Sequence, residues 1–314
     1  MESQLALEES PTGGEPVGNV YYGTSSWTDK TLLASKRFYP PSAKSAADRL
    51  RYYAERFPLV EVDSTYYALP SERNAALWIE RTPAHFVFNI KAFGLLTHHP
   101  VGARALPARL RESVGEEKQR LYRKDFPPDA LATVDDMFVS ALRPLEAAGR
   151  LGAVLFQFPR WFVRSRPNID YLRELSERFP YRIAVEFRGP TWMESDRADR
   201  TLSLLSDLGM SYVVVDEPQG FKTSIPPVVA ATSPELAVLR FHGRNADTWE
   251  KAGLTAAERF RYLYSEEELE QWVGPARELA AGAKQLHILM NNCYEDYGIR
   301  NAAQMGALLA GSAS

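Results

Sequence analysis

The sequence predicts a TIM-type (β/α)8 barrel: it holds eight short β-type runs, helical patterns between most of them, and a polar face shared by several of the runs. The runs cover residues 20–27, 59–67, 86–93, 151–159, 182–188, 211–218, 236–244 and 285–292. Most are rich in Val, Ile, Phe or Tyr and have chain breakers nearby, the composition of strands ended by turns. Helical periodicity fills 43–56, 72–81, 134–148, 169–178, 198–208, 266–281 and 300–309. Such alternation makes parallel β/α units. A doubly wound open sheet is the competing architecture, because linear order does not prove closure. Against it, the first strand runs into GTSSW, with the single glycine Gly23 where a dinucleotide fingerprint needs several.

Two connections depart from the regular unit. Roughly forty residues (94–133) follow the third run before the next helix; a connection longer than about 15 residues often forms a lid or binding loop. It carries Thr97-His98-His99-Pro100, several arginines and Lys118. After the sixth run, 219–234 is rich in proline and has no helical period, which predicts a reduced or missing sixth helix.

The chain of 314 residues fits one such barrel. Residues 1–18, rich in Glu, Ser, Pro and Gly, read as a flexible tail, and 19–314 as one domain. The net charge of −3 advertises neither nucleic acid nor an anionic membrane surface. The one cysteine, Cys293, allows no intramolecular disulfide and no thiolate zinc site. No basic leader or long apolar run is present, so the expectation is a cytoplasmic protein without a membrane partner.

Side chains alternate across a strand. In the second run Glu61, Asp63 and Thr65 oppose Val60 and Val62. In the third, Asn89 and Lys91 oppose Phe88 and Ile90; in the fifth, Glu186 and Arg188 oppose Val185 and Phe187. In the seventh, Arg240, His242 and Arg244 oppose Leu239 and Phe241. The outer face of a barrel strand packs on helices and must be apolar, so the polar parity points to the axis. These charges lie late in their strands, where barrel active sites form.

The motifs resemble the YecE-like family, domain of unknown function 72. The matching stretches are GTSSW, Phe38-Tyr39-Pro40, RLRYYAERFPLVEVDSTYYALPSE, TPAHFVFNIKAFGLLTHH, LGAVLFQFP, AVEFRGPTW, LRFHGRN and NNCYEDYGIRNA. They extend from the first strand to the last helix. The resemblance implies a TIM barrel and brings no accepted reaction or cofactor.

Glu61, Asp63, Glu186, Asp216 and His242 are the predicted catalytic groups, by acid/base chemistry. The competing reading pairs the acids with Arg188, Arg240 and Lys91 merely to fill the barrel. Lys91, Arg188, Arg240 and Arg244, with Gln157, Asn245, Asn291 and Asn292, are predicted to hold a ligand, since arginine forks match phosphate and carboxylate. The expected seat of a phosphate is near Arg244, Asn245 and Asn291. Trp27 and Tyr66 are predicted to stack on that ligand.

The function expected is binding or turnover of an anionic, phosphorylated or nucleotide-like small molecule, without metal or other cofactor. A metal-dependent hydrolase or sugar-isomerase-like enzyme using Glu186, Asp216 and His242 is one alternative; the neighbouring arginines argue against it. A non-catalytic binder of a small ligand or of nucleic-acid backbone is the other, which the net charge does not favour.

Overall fold

Each of the eight predicted runs forms a strand of a closed parallel barrel in the computed structural model, which describes residues 12–112, 120–194 and 196–311. The strands are β1 (Val20–Thr24), β2 (Leu59–Val62), β3 (Val87–Lys91), β4 (Leu151–Gln157), β5 (Ile183–Glu186), β6 (Ser211–Asp216), β7 (Leu236–Phe241) and β8 (Gln285–Met290). Each pairs with its sequence neighbours, and β1 meets β8 from Val20↔Leu286 to Thr24↔Met290.

Every strand ends earlier than the sequence pattern suggested, because the chain leaves the ladder to build the mouth. After β2, for example, Asp63–Tyr66 forms a 3-10 turn. Thr65 Oγ1 lies 2.8 Å from the Val62 carbonyl and 2.6 Å from that of Lys91.

The main helices are α1 (Ala46–Ala54), α2 (Glu72–Glu80), α3 (Pro128–Ala147), α4 (Arg166–Arg178), α5 (Ala198–Asp207), α6 (Val273–Ala281) and α7 (Tyr297–Gly311). Ser45 starts α1 with a capping box to Asp48, and α3 begins earlier than its periodicity suggested because Pro128 suits a first helical turn. The predicted helix 266–281 is split into Glu266–Glu270 and α6, with Trp272 at the break. Residues 217–235, between β6 and β7, contain no helix. The long connection after β3 holds short turns, Ala108–Glu112 and the bridge Val101↔Leu121; Lys118 lies outside the described residues.

The expected tail divides in two. Residues 1–11 lie outside the described residues, whereas 12–18 touch the barrel: Val17 and Val20 exchange backbone bonds of 2.9 and 3.0 Å, and the His85 ring meets the Gly14 carbonyl at 3.1 Å. No described helix is long and apolar enough to cross a membrane.

Most of the core lies between strands and helices. The axis below the mouth is filled by Leu59, Val87 and Leu289, with Tyr21. There His287 Nδ1 meets Asn89 Oδ1 at 2.9 Å. One contact fixes the β1–β2 seam: buried Tyr53 Oη accepts from Thr24 N (2.8 Å) and donates to the Leu59 carbonyl (3.0 Å). A Cβ on Gly23 would stand 1.9 Å from Leu59 O and 2.8 Å from Tyr53 Oη. Backbone cannot yield as a side chain does, so Gly23→Ala is expected to lose about 3 kcal/mol or more in chemical denaturation. A loss below about 0.5 kcal/mol would show that the seam opens freely.

Candidate functional site at the barrel mouth

Alternation along four strands, β2, β3, β5 and β7, brings charged side chains to the axis. Arg240 of β7 is wholly buried between two carboxylates: Nη2 donates to Glu61 Oε1 of β2 at 2.6 Å, and Nη1 donates to Glu186 of β5. Burial raises the pKa of Glu61, with Arg240 and Lys91 only partly offsetting it. Burial also opposes ionisation of Glu186, but Arg240, Arg188 and His242 more than reverse this and hold it well below the usual range. Arg240 therefore has an ionised partner and stays charged.

Above this pair lies a second layer centred on Arg188. Its Nε is 2.7 Å from Glu186 Oε1 and its Nη1 is 2.9 Å from Glu217 Oε2. Gln157 Nε2 donates to Glu186 Oε1 at 2.7 Å. His242 Nε2 lies 3.1 Å from that same oxygen, and Asn291 Nδ2 lies 2.8 Å from His242 Nδ1. A carboxylate can only accept and an amide nitrogen donates, which assigns a neutral ring protonated on Nε2. Burial, then Arg188, push the His242 pKa down to about 3. Across the mouth, Lys91 Nζ is 2.6 Å from Asp63 Oδ1 and 5.1 Å from the Tyr66 ring centre.

The structure thus brings together Glu61, Asp63, Lys91, Gln157, Glu186, Arg188, Arg240, His242 and Asn291, with Tyr66 beside them. Five predicted site residues stand elsewhere. Asp216 faces outward with Phe241, its register partner, and is held by Tyr264 Oη (2.6 Å), Trp272 Nε1 (2.7 Å) and Arg244 Nη2 (2.7 Å). Arg244 is consumed by that fork because Gly243, at φ 84°, turns the chain and breaks the alternation that predicted an inward side chain. Asn245 donates to the Arg261 carbonyl (2.9 Å), and buried Asn292 to Tyr262 O and Asn301 Oδ1 (both 2.8 Å). Trp27 is buried and packs edge-on to Trp78 of α2, whose ring in turn stacks on Phe88. The expected phosphate seat at Arg244 is therefore already filled by Asp216, and Glu186, Asp216 and His242 do not converge as ligands.

The histidines after β3 also separate. His98 packs on Tyr171 and Phe162, while His99 meets Tyr66 and Trp161. Burial pushes both pKa values down to about 4. No group of three or more His, Cys, Asp or Glu side chains arranged to hold a metal occurs among the described residues.

Glu217 joins the cluster without having stood out in the sequence. Oε1 accepts from Ile225 N at 2.7 Å and Oε2 from Arg188; burial raises its pKa to about 7, with Arg188 opposing. The only cue was the choice between adjacent acids, Asp216 and Glu217. Arg160 and Arg259 were also missed. Arg259 donates to the Trp249 carbonyl at 3.0 Å, and Arg188 lies 5.6 Å over the Trp249 ring. Burial lowers the Arg160 pKa, helped by Arg259 and Arg188, and Arg160 makes no ion pair with a described residue.

Comparison with known proteins agrees with this architecture. The family model described as protein of unknown function DUF72 matches residues 21–314. The chain belongs to the DUF72 family. The UPF0759 protein YunF of Bacillus subtilis is 32% identical over 294 residues, covering 92% of this chain and 94% of YunF. A DUF72 crystal structure from Thermotoga maritima is 32% identical, with a TM-score of 0.71 over 92% of this chain and 98% of that one. One from Enterococcus faecalis is 25% identical, with a TM-score of 0.74 over 92% and 95%. DUF72 membership establishes the TIM barrel and leaves the chemistry to be read from the side chains.

Proposed function

We propose that the protein binds a small anionic ligand, bearing phosphate or a similar group, at the C-terminal mouth of the barrel. The carrying observation is the vertical sorting of charge. The side chains of Glu61, Glu186 and Glu217 are 0% exposed, whereas those of Lys91 and Arg188 retain 11% and 15%. Half-buried Gln157 and Asn291 add amides to the same layer. An incoming molecule meets mostly N–H donors, with acids beneath that orient them. Asp63 is the one acid of the cluster that reaches the surface, at 30%, and Lys91 neutralises it. Arg160 and Arg259 extend the cationic rim, which favours an anion further. Trp161, exposed at 59%, and Tyr66 border the same opening and suit a ring or sugar face.

Glu217 supports the catalytic form of this reading. A carboxyl with a pKa near 7 exchanges protons at working pH, as a general acid or base must. Glu186 is too firmly ionised for that role and instead orients Arg188 and His242.

Calorimetric titration with phosphate and sugar phosphates tests the proposal. Arg188→Ala is expected to weaken binding about tenfold, through loss of the positive charge at the opening and of the geometry it holds, since Glu186, Glu217 and His242 already engage its nitrogens. Arg244→Ala should leave it unchanged. Equal affinities in wild type and Arg188→Ala would refute the site. For any ligand that is turned over, Glu217→Gln should abolish the limb of the rate–pH profile near 7.

A further inference from the structure

A groove of about 690 Å3 lies on the outside of the barrel, between the short helix Lys30–Ser35 and α1. Its charged lining is Lys36, Arg37, Lys44 and Arg49, with no acid among the lining residues. In a chain of net charge −3 this is a local reversal of sign. Arg37 is bound on one side by Glu295 at 2.6 Å and Asp296 at 3.4 Å. Lys36, Lys44 and Arg49 make no ion pair with a described residue. Lys36 also holds φ 56° at the end of its helix, where glycine is the usual residue. A side chain kept in the left-handed region is often kept for what it does.

The groove also has an apolar wall. The rings of Tyr39 and Tyr52 stand 5.8 Å apart at 59°, and Tyr39 is anchored by its hydroxyl to the Trp27 carbonyl. Such a volume is that of a small-molecule site, and a cleft lined by one sign of charge concentrates counter-ions. Neither feature is part of the barrel mouth, whose charged cluster is made of other residues.

We propose that this groove is a second ligand site, for a nucleoside phosphate. The phosphate lies among Lys36, Lys44 and Arg49, and the base lies against Tyr39 and Tyr52. The inference is independent of the ligand at the mouth.

The test is calorimetric titration of the full chain with AMP, adenosine and inorganic phosphate at low salt, in wild type and in an Arg188→Ala background that disables the mouth. AMP should bind saturably in both, more tightly than phosphate or adenosine. Lys44→Ala/Arg49→Ala should weaken AMP about ten- to a hundredfold. Lys44→Ala alone, at an exposed residue, should weaken it severalfold with the melting temperature unchanged. Tyr52→Leu should weaken AMP but not phosphate. Absence of saturable AMP binding, loss of it with Arg188→Ala alone, or equal affinity in the double variant would overturn the site. Phosphate binding as tightly as AMP would overturn its assignment to nucleotides.

Discussion

Arg240→Met is expected to cost about 3–5 kcal/mol or more, a large share of a native stability of about 5–15 kcal/mol. Methionine fills similar space, so the loss is electrostatic. It strands Glu61 and Glu186, both fully buried, without the guanidinium that bridges them. Glu186 keeps Arg188, whereas Glu61 keeps no ion pair with a described residue. The expectation therefore includes a partial rescue: Arg240→Met/Glu61→Gln should be more stable than Arg240→Met, because a neutral amide costs less to bury. Urea midpoints of the three proteins decide it. A single-variant loss below about 1 kcal/mol, the range of a surface pair, would mean that water reaches the triad.

Acid should destabilise the protein through its two axial histidines. His287 is pushed by burial, and by Arg182, from 6.5 to about 3, and His242 reaches about 3 by burial beside Arg188. Both rings are neutral in the fold but take protons once unfolded. The stability they contribute is complete above the unfolded pKa of 6.5 and drains away as pH falls toward 3. Glu217 acts in the opposite sense: its pKa is raised to about 7, so its contribution is present below 4.5 and lost as pH rises through 7. Between pH 6.5 and 4.5 the two axial histidines outweigh the Glu217 carboxyl by about 1.4 kcal/mol per pH unit, and His98 and His99, pushed down to about 4, steepen the fall with acid further. His287→Gln removes one proton from that balance and should flatten the slope, whatever it costs at pH 7. An unchanged slope of unfolding free energy against pH would show that His287 is not the neutral axial group described above.

Strands were legible in the sequence because each is a short β-branched or aromatic run with breakers beside it. Their ends were not, since apolar and polar residues keep alternating after the backbone has left the ladder, as at Asp63–Tyr66. The inward charges of β2, β3, β5 and β7 were legible because each opposes an apolar face. Parity failed at β6, where Val213, Val214 and Val215 make both faces apolar, so nothing distinguished Asp216 from Glu217. It failed again at Arg244, where Gly243 reverses the chain. Asn292 and Trp27 stand close to strand ends, but burial against neighbouring elements takes both away from the mouth. The missing sixth helix was readable from a cluster of prolines with no helical period around them, since each removes a backbone donor and a helix interior tolerates few.

The charge-lined axis also bears on the order in which the chain can fold. Arg240 meets Glu61 across 179 positions and Glu186 across 54, so the second strand to be synthesised cannot satisfy its central carboxylate until the seventh arrives. A half-barrel of β1–β4 would offer Glu61 only Lys91, which Asp63 already holds. An early fragment thus has a reason to stay open rather than close on itself or pair with a second copy. The axial charges therefore favour closure less in a fragment than in the whole chain, where strands from both halves supply their partners.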